Sequence, residues 1–271
     1  MGLTVKALHI GDAMMDWSFL LFRYKPGRKT CIPINSYLIR GAETPILVDT
    51  GVRDASVFVA HGNDEIGFVE PEQDILLQLK EEGLNPADIG CIIQTHLAID
   101  HTGNTSRFPN ARIIVQRQEM AYQATNNRNL QPDLPWFINN IKRVDFIMGD
   151  IELFPGIKCV LAPGHTQGHQ EVEVQTDAGK IILSGDTVYD IPMQLEDRGG
   201  PGRIWPPGNF DNRRVIMDAL QRLKRELKKG AVICPVHGYE PFDRYKLGQR
   251  RSDKRRDYEG FPSLKWPPEQ L

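Results

Sequence analysis

Short apolar runs separated by polar, glycine and proline residues dominate the first fifty residues of the chain. We interpret four runs as β-strands, because β-branched and aromatic residues fit a pleated surface and turn residues bound each run. These runs are VKALHI, WSFLLFRY, INSYLI and PILVD. A polar, irregular stretch follows from position 52 to about 70. The segment PEQDILLQLKEEGL then places Ile75, Leu76 and Leu79 at helical spacing, which predicts a helix that ends near Gly83.

The rest of the chain alternates between apolar strand patterns and helical patterns. Strands are predicted at GCIIQT, ARIIVQ, GIKCVLA, QEVEVQ, KIILSG and AVICPV. A helical pattern follows at RQEMAYQAT, and residues 210–229 carry an apolar stripe typical of an amphipathic helix. Residues 126–150 break the pattern, since they are rich in Asn, Pro and Trp, and predict an excursion on the surface. The basic segment from about 248 to 271 is interpreted as a solvated tail.

This mixture of strands and helices predicts an α/β (α+β) protein in which two sheets are covered by helices. The chain has 271 residues, of which 40% are hydrophobic, so it is long enough to bury one large core. The pattern contains no internal repeat of fixed short period. We therefore interpret residues 1–271 as a single domain that carries the excursion and the basic tail.

The charge balance and the apolar runs bear on partners and location. Lys and Arg number 33 against 35 Asp and Glu, a net charge of -2, so nothing drives the chain generally toward nucleic acid or an anionic membrane. No run is long enough to span a bilayer and the opening residues lack a signal-peptide pattern, which predicts a cytoplasmic protein. The four cysteines have no CxxC spacing, and we interpret them as small buried apolar residues.

Histidine and aspartate side chains concentrate where apolar strands end. His96, Asp100 and His101 follow CIIQ, His165 and His169 follow CVLAP, Asp186 follows KIILSG, and His237 follows AVICP. Strands that end at one edge of a layered fold would bring these side chains together, as a metal site requires. Imidazole and carboxylate without a thiolate pair suit zinc, and manganese, cobalt or iron also fit.

Each of these residues also has an ordinary structural explanation. A lone histidine after a strand is more often a hydrogen-bonded structural residue than a ligand. An aspartate before threonine, as in the pair Asp186-Thr187, is more often a turn or helix cap. Independent structural roles would not place histidine and aspartate at the ends of four strands, so the metal-site interpretation is favoured.

The order and spacing of these motifs resemble those of the metallo-β-lactamase superfamily. The resemblance runs from about residue 34 to 240 and rests on THLAIDH, GHTQGH, SGD, the late His237 and the early ILVDTG. It implies a four-layer αββα sandwich with a metal pair at one edge. By this resemblance one metal would take His96 and His165, the other would take Asp100, His101 and His237, and Asp186 would bridge them. Asp49 of ILVDTG would support the site from outside the ligand set.

Within the superfamily the chain is most similar to the quorum-quenching N-acyl-homoserine lactonases. Its opening segment is similar in style to theirs, and Asp186-Thr187-Val188-Tyr189 matches their D-x-x-Y motif, in which the tyrosine assists attack on the ester. Simple packing explains Tyr189 almost as well. The resemblance implies a small-molecule lactone or ester as substrate, and it makes a homodimer plausible.

One position departs from the family motif H-x-H-x-D-H, because Ala98 stands where the second histidine is expected. Residues 96 and 98 share one side of an extended segment, so the first metal would lose an imidazole. It would keep His96, His165, the bridging Asp186 and water, and three protein ligands with an open position still suit catalysis. A natural variant with a weak or absent first metal, an inactivating substitution and a changed chemistry all remain open.

The chemistry implied by the resemblance is metal-assisted hydrolysis. A bound metal lowers the pKa of water from about 15.7 toward ~7, and the resulting metal-bound hydroxide would attack the lactone carbonyl. Asp100 can orient the water or accept its proton, and Tyr189 can donate a hydrogen bond to the carbonyl or leaving oxygen. The alternatives are a hydrolase of another ester, amide or thioester, and a catalytically weakened member that binds a ligand without turnover because of Ala98.

Three histidines receive no ligand role. His169 closes the GHTQGH turn, and we favour a supporting or structural role because His165 already fills the ligand position. His9 and His61 belong to no cluster and are interpreted as surface or packing residues.

Overall fold

The computed structural model describes residues 2–54, 66–125, 134–198 and 200–252. Within them, a seven-stranded sheet has the order β4-β1-β2-β3-β5-β6-β7, and a five-stranded sheet has the order β12-β11-β10-β9-β8. The first sheet comprises β1 (Thr4–Asp16), β2 (Lys29–Arg40), β3 (Ile46–Val48), β4 (Ile66–Phe68), β5 (Cys91–Ile93), β6 (Arg112–Gln116) and β7 (Val144–Ile147). The second comprises β8 (Ile151–Phe154), β9 (Ile157–Leu161), β10 (Gln170–Thr176), β11 (Gly179–Gly185) and β12 (Val232–Pro235).

Eight α-helices lie among the described residues. They are α1 (Trp17–Leu20), α2 (Ile75–Glu81), α3 (Ile99–Thr102), α4 (Arg117–Thr125), α5 (Leu134–Asn139), α6 (Ile191–Gln194), α7 (Arg213–Lys228) and α8 (Glu240–Asp243). Short 3-10 turns occur at residues 71–73, 86–88, 105–107 and 141–143. None of these helices is long and apolar enough to cross a lipid bilayer.

The two sheets pack face to face, and helices cover their outer faces. Apolar side chains of both sheets form one buried cluster, which includes Val48, Ile93, Val172, Leu183 and Cys234. A second cluster joins α2 to the first sheet, and a third joins α7 to the second sheet. The layers are therefore helix, sheet, sheet and helix, as the predicted αββα sandwich requires. Burying each leucine or isoleucine of these clusters stabilises the fold by roughly 1.5–3 kcal/mol.

Strand direction brings the polar clusters to one edge. β3, β5 and β6 run parallel to one another in the first sheet, and β11 runs parallel to β12 in the second. Parallel neighbours end on the same side, so the residues that follow β3 and β5 lie together, as do those that follow β11 and β12. These four strand ends precede Asp49, His96, Asp186 and His237.

The prediction of a strand at WSFLLFRY is wrong, because residues 17–20 are helical and residues 21–24 form a turn. Trp17–Leu20 forms the short helix α1. The carboxylate of Asp16 accepts hydrogen bonds from the backbone N–H groups of Ser18 (2.7 Å) and Gly27 (2.7 Å), and it caps the helix. A capping aspartate here outweighs the strand propensity of the aromatic residues.

Three strands escape the sequence pattern. β4 lies in the stretch predicted to be irregular, of which residues 55–65 are outside the described residues. β7 lies in the predicted surface excursion and pairs in parallel with β6, so residues 144–147 extend the first sheet, and α5 buries Phe137 against it. β8 pairs with β9 at the edge of the second sheet. Residues 126–133 and most of the predicted tail, 253–271, lie outside the described residues.

The four cysteines are buried and free of disulfides, as their spacing predicts. Burial raises the pKa of the Cys91 thiol to about 12, and it also raises the pKa of Cys159 and Cys234. Because only the thiolate is nucleophilic, these side chains are inert packing residues at neutral pH.

Candidate metal centre

The loop after β5 carries three of the predicted ligands. After Ile93 the chain passes through His96 and enters the four-residue helix α3, which contains Asp100 and His101. The carbonyl of Ala98 accepts hydrogen bonds from the backbone of His101 and Thr102 (both 3.0 Å), which closes this helical turn. The turn brings the rings of His96 and His101 to a centroid distance of 4.0 Å.

The loop between β9 and β10 carries His165 into the same space. Gly164 has a φ of +134°, which side-chain-bearing residues rarely adopt, and a Cβ there would lie 2.6 Å from the backbone of Ile216 on α7. Only glycine therefore lets this loop pack against α7. The loop then turns back, since the Gly164 N–H donates to the Thr166 carbonyl (3.0 Å).

Asp186 lies between the imidazoles. Its Oδ1 is 3.3 Å from His101 Nε2 and 3.4 Å from His237 Nε2, and its Oδ2 is 3.5 Å from His165 Nε2. The Nε2 atoms of His96 and His165 are 3.1 Å apart, and His237 Nε2 is 3.3 Å from Asp100 Oδ2. The structure thus brings all six predicted ligands together at one edge of the sandwich. Asp100 is the most exposed of them, with 18% of its side chain accessible.

The six candidate ligands fall into two halves joined by Asp186. The His101 half consists of Asp100, His101 and His237, and the His96 half consists of His96 and His165. Asp186 contacts both halves. The candidate ligand atoms of the His101 half lie within 4.8 Å of one another, and so do those of His96, His101 and Asp186. His101 is therefore closer to His96 than a clean division into two metal positions would suggest.

The outer nitrogens of the four imidazoles face oxygen partners. The Nδ1 of His101 lies 2.8 Å from the Asp49 carboxylate, that of His237 lies 2.9 Å from the Pro33 carbonyl, and that of His165 lies 3.2 Å from the Asn209 carbonyl. These oxygens only accept, so in each neutral ring the Nδ1 carries the hydrogen and the Nε2 lone pair points into the site. This is the arrangement that orients metal-ligating histidines.

Thr95 extends the same pattern to His96. Its hydroxyl donates to Asp49 (2.7 Å), so a lone pair of the hydroxyl can accept from His96 Nδ1, which is 3.2 Å away. The backbone N–H of Thr95 also donates to Asp49 (2.8 Å). Asp49 therefore supports both halves, directly at His101 and through Thr95 at His96. Sequence reasoning expected Asp49 but missed Thr95, which only its position between strand and histidine could have suggested.

The electrostatics of the two halves differ. Burial alone would lower the pKa of His101, but the carboxylates of Asp186, Asp49 and Asp100 raise it well above its usual value. Burial, together with the neighbouring imidazoles of His101 and His165, holds the pKa of His96 well below its usual value. The His101 half is thus rich in negative charge, while the His96 half disfavours a proton.

Buried atoms without partners show that a divalent cation would fit. His101 Nε2 and Asp186 Oδ1 are buried and make no hydrogen bond among the described residues. Burial would raise the pKa of Asp186, but His237, His101 and His165 lower it well below its usual value, so the carboxylate is ionised. Two unpartnered buried atoms, one from an imidazole and one from an ionised carboxylate, with further imidazole nitrogens beside them, are a suitable donor set for zinc and related metals.

Ala98 contributes no ligand to this set. It is half-buried and is the N-cap residue of α3, with an extended backbone (φ -78°, ψ 155°). Its backbone carbonyl organises the turn, but its methyl side chain has no donor atom. The His96 half consequently has two imidazoles where the His101 half has two imidazoles and a carboxylate.

His169 and Tyr189 both contact Asp186. The backbone N–H of Asp186 donates to His169 Nε2 (3.0 Å), while His169 Nδ1 lies 3.1 Å from the Ala162 carbonyl. Burial, reinforced by His165, lowers the pKa of His169 to about 3, which keeps it neutral. The Tyr189 hydroxyl donates to Asp186 Oδ2 (2.7 Å), and its ring stacks on that of His237 at 5.5 Å.

Of the two histidines outside the clusters, His9 is fully buried and packs beside Asp12, at 3.1 Å. Of the two predicted roles for His9, surface residue or packing residue, its burial supports the second. His61 lies outside the described residues.

Comparison with known sequences gives a consistent result. The chain matches the model of the metallo-β-lactamase superfamily over residues 30–237. An N-acyl homoserine lactonase of Bacillus thuringiensis is 33% identical over 244 residues, which cover 84% of this chain and 90% of that protein. A lactonase of the same name from Rhizobium radiobacter is 33% identical over 147 residues, which cover 49% of this chain and 54% of that protein.

Solved structures agree with the sequence comparison. An N-acyl homoserine lactone hydrolase with N-hexanoyl-L-homoserine bound at its catalytic metal centre has a TM-score of 0.71 and 28% identity, covering 88% of this chain and 94% of that one. A dizinc quorum-quenching lactonase, 19% identical, has a TM-score of 0.64 and covers 87% of each chain. This second likeness shows the fold alone.

Proposed function

The chain belongs to the metallo-β-lactamase superfamily, and we propose that it is a metal-dependent hydrolase that opens a lactone ring. The observation that carries the proposal is the convergence of four imidazole Nε2 atoms around Asp186, each ring held from outside by an oxygen acceptor. The lactonase from Bacillus thuringiensis supports the reaction type and the substrate class, because it is similar over most of the chain.

We propose zinc as the metal, with the His101 half and Asp186 as its principal position. His96, His165 and Asp186 would hold a second ion, for which Ala98 supplies no ligand. Manganese, cobalt and iron remain open, since nitrogen and oxygen donors accept all of them. A bound divalent ion of this kind would lower the pKa of water and polarise a carbonyl oxygen.

Asp100 is suited to handle the proton of the attacking water. Burial would raise its pKa, but His101 and His237 lower it, so it is ionised at neutral pH. It is also the most exposed of the six candidate ligands, so water can reach it. We assign it the role of orienting the water and accepting its proton as the new carbon–oxygen bond forms.

Tyr189 is suited to contact the reacting ester. Its hydroxyl lies 2.7 Å from Asp186 Oδ2, and its hydrogen can turn to a carbonyl or leaving oxygen. The ring carbon–oxygen bond then breaks, and the ring oxygen takes up the proton that Asp100 accepted from the water, so it becomes a hydroxyl. The account needs no serine or cysteine nucleophile, which is consistent with the raised pKa of the buried thiols.

An apolar surface next to Tyr189 supports a substrate that has a polar ring and an apolar chain. Tyr189 belongs to an apolar cluster in which Trp17, Phe19, Met193 and Trp205 are only partly buried. Such side chains gain apolar contact when an acyl chain covers them. We propose an N-acyl homoserine lactone or a related lactone as the substrate class.

The buried free cysteines support a reducing compartment. We therefore propose that the protein acts in the cytoplasm.

The proposal is tested by metal analysis together with a pH-indicator assay on the purified protein. The panel contains N-acyl homoserine lactones of short and long acyl chains, a simple lactone, a thioester and an amide, each with and without added zinc or manganese. We expect acid release from the acyl homoserine lactones and bound metal in the protein. A metal-free protein that releases acid from no ester would contradict the proposal.

Ala98 favours one second candidate, a weakened member that binds a lactone without turning it over. In that case the same panel shows no acid release, while a lactone still raises the thermal unfolding temperature of the protein. If the protein hydrolyses other esters, amides or thioesters but no lactone, the substrate class is one of those compounds and not lactones.

A further inference from the structure

Glu119 is a fully buried carboxylate that the proposed chemistry does not use. It is the third residue of α4, which follows β6. A buried carboxylate is costly unless hydrogen-bond donors surround it, so the donors that Glu119 faces are informative. Its two oxygens accept four hydrogen bonds, and three of them come from the loops that carry His96 and His165.

One oxygen faces the loop after β5. Glu119 Oε1 accepts from the backbone N–H of Leu97 at 3.1 Å, and Leu97 directly follows His96. The same oxygen accepts from the side-chain amide of Gln123, one helical turn further along α4, at 2.8 Å. Gln123 thereby fixes the carboxylate from the helix side.

The other oxygen faces the loop between β9 and β10. Glu119 Oε2 accepts from the hydroxyl of Thr166 at 2.6 Å and from the backbone N–H of Gly168 at 3.2 Å. Thr166 directly follows His165. Gly168 lies so close to the backbone of Glu119 that a Cβ on it would collide with the start of α4. This loop is thus packed directly on the residue that holds it.

We propose that Glu119 is a positioning residue that fixes the backbone of His96 relative to that of His165. It rests on the proposed function, because the spacing matters only if these imidazoles share a metal. Hydrogen bonds from both loops meet on this one side chain, so each loop is held relative to the other. Glu119 therefore does for the backbone of the His96 half what Asp49 does for the imidazole of His101.

The role of Glu119 bears mainly on one half. Its loop contacts come from residues that follow His96 and His165 in the chain. By contrast, the imidazole of His237 is held by the Pro33 carbonyl and that of His101 by Asp49. The His96 half also lacks an imidazole at Ala98, so its geometry depends on the two loops. His101 follows Leu97 in the same loop, but its imidazole is also held by Asp49. Loss of the Glu119 contacts should therefore affect the His96 half more than the His101 half.

Glu119→Gln tests the assignment because glutamine has nearly the same shape as glutamate. It replaces one of the two accepting oxygens by an NH2 group, which cannot accept the hydrogen bonds of that oxygen. Asp74→Asn is the matched control, since Asp74 caps α2 on the far side of the first sheet, through the N–H of Leu76. Metal-free samples of the native protein and both variants are titrated with zinc against a chromophoric chelator. We expect Glu119→Gln to lower the affinity of the weaker of the two zinc-binding events about 10–100-fold, which is the usual effect of replacing a residue that supports a metal ligand. The tighter event should be unchanged.

Hydrogen–deuterium exchange of the metal-free proteins gives a readout that needs neither metal nor turnover. We expect Glu119→Gln to speed exchange of the peptides around Leu97 and Gly168 about tenfold or more, with the peptide around His237 unchanged. Asp74→Asn should change neither loop. Equal exchange of both loops in the native protein and Glu119→Gln overturns the proposal, even where zinc binding behaves as expected.

The two experiments separate this proposal from the proposed function. A native protein that binds no zinc and hydrolyses no lactone would contradict the function, and the exchange result would still decide whether Glu119 clamps the two loops. A native protein that binds zinc, with a Glu119→Gln variant that binds both equivalents as tightly, would overturn the clamp and leave the function standing.

Discussion

The two halves of the candidate metal centre share Asp186 but are built differently. In the His101 half, each imidazole is tied to an acceptor at 2.8–2.9 Å, and a third ligand, Asp100, is present. In the His96 half, the outer nitrogens have longer contacts of 3.2 Å, and Ala98 offers no ligand. In the His101 half, contacts to the ligand side chains fix the geometry. In the His96 half, the positions of the two loops that carry His96 and His165 fix it.

The difference teaches that one sheet edge can hold two metal positions of unequal strength. Carboxylates raise the pKa of His101, which marks a place where positive charge is favoured, whereas burial and neighbouring imidazoles lower the pKa of His96. A divalent cation is favoured by the same negative charge. We therefore expect the His101 half to bind metal more tightly than the His96 half.

Replacing His101 should have the largest effect, because this residue belongs to both candidate ligand groups. We expect His101→Ala to lower lactone hydrolysis by more than about 100-fold and to reduce bound metal, since it removes a ligand rather than a supporting group. His165→Ala, which touches only the His96 half, serves as the comparison and should retain the tightly bound metal. Equal loss of metal in His101→Ala and His165→Ala would contradict the prediction that the two halves bind metal with different affinity.

Asp49→Asn should have the next largest effect. Asp49 has a φ of +55°, which asparagine tolerates well, so the change removes charge without adding backbone strain. Its amide would face donors from Thr95 and His101, and we expect metal affinity to fall about 10–100-fold. The control is Asp145→Asn, which disrupts an exposed ion pair with Arg112, away from the six candidate ligands. Chelator competition that gives the native affinity for Asp49→Asn would contradict its supporting role.

Ala98→His addresses the comparison from the opposite side. An added imidazole should raise the affinity of the His96 half, by about tenfold or more, and bring the metal content closer to two ions per chain. Metal content is measured after dialysis, with lactone hydrolysis recorded in parallel. Unchanged metal content and activity would mean that the absence of an imidazole at position 98 is no defect.

Tyr189→Phe should have a smaller effect. The ring still stacks on His237, so only the hydroxyl is lost. A hydrogen bond worth about 0.5–1.5 kcal/mol corresponds to a fall in kcat of roughly 3–10-fold, with little change in KM or metal content. An unchanged kcat would assign Tyr189 to packing.

Much of the site can be predicted from the sequence, because its ligands directly follow β-strands and those strands have a strong hydrophobic pattern. The layered fold and the six ligand positions are predicted from the polar clusters after GCIIQT, GIKCVLA, KIILSG and AVICPV together with the family resemblance. Membership of the superfamily is confirmed by the comparisons. The supporting residues Thr95 and Glu119 are not predicted. Their roles depend on groups far away in sequence, which are the Asp49 carboxylate for Thr95 and the loops at Leu97 and Gly168 for Glu119. Nothing in their local pattern distinguishes them from ordinary polar residues.

The strands that escape prediction have a similar physical reason. β4 and β7 lie at the two edges of the first sheet, where a short strand is stabilised by one neighbour and needs little hydrophobic pattern of its own. The helix α1 is set by the capping carboxylate of Asp16, which outweighs the aromatic residues that follow it. Local sequence propensity does not predict the secondary structure of segments whose conformation is set by a single tertiary or capping contact.

One expected effect concerns the pH dependence of stability and not the strength of the metal site. The pKa of His169 is lowered to about 3 in the folded protein, against about 6.5 when unfolded. The unfolded state therefore binds the proton more readily, and this contribution to stability is present above about pH 6.5 and is lost as the pH falls toward 3. We expect the stability of the metal-free native protein, relative to His169→Gln, to fall by about 2 kcal/mol between pH 7.5 and 5. Chemical denaturation at both pH values checks it, and a constant difference would contradict it.

Calorimetric titration of the metal-free native protein with zinc tests the inequality of the two halves most directly. The two-half account predicts one tight binding event and a second that is at least about tenfold weaker, with the tight event lost in His237→Ala and retained in His165→Ala. Two equivalent tight events in the native protein, or loss of the tight event in His165→Ala alone, would contradict it.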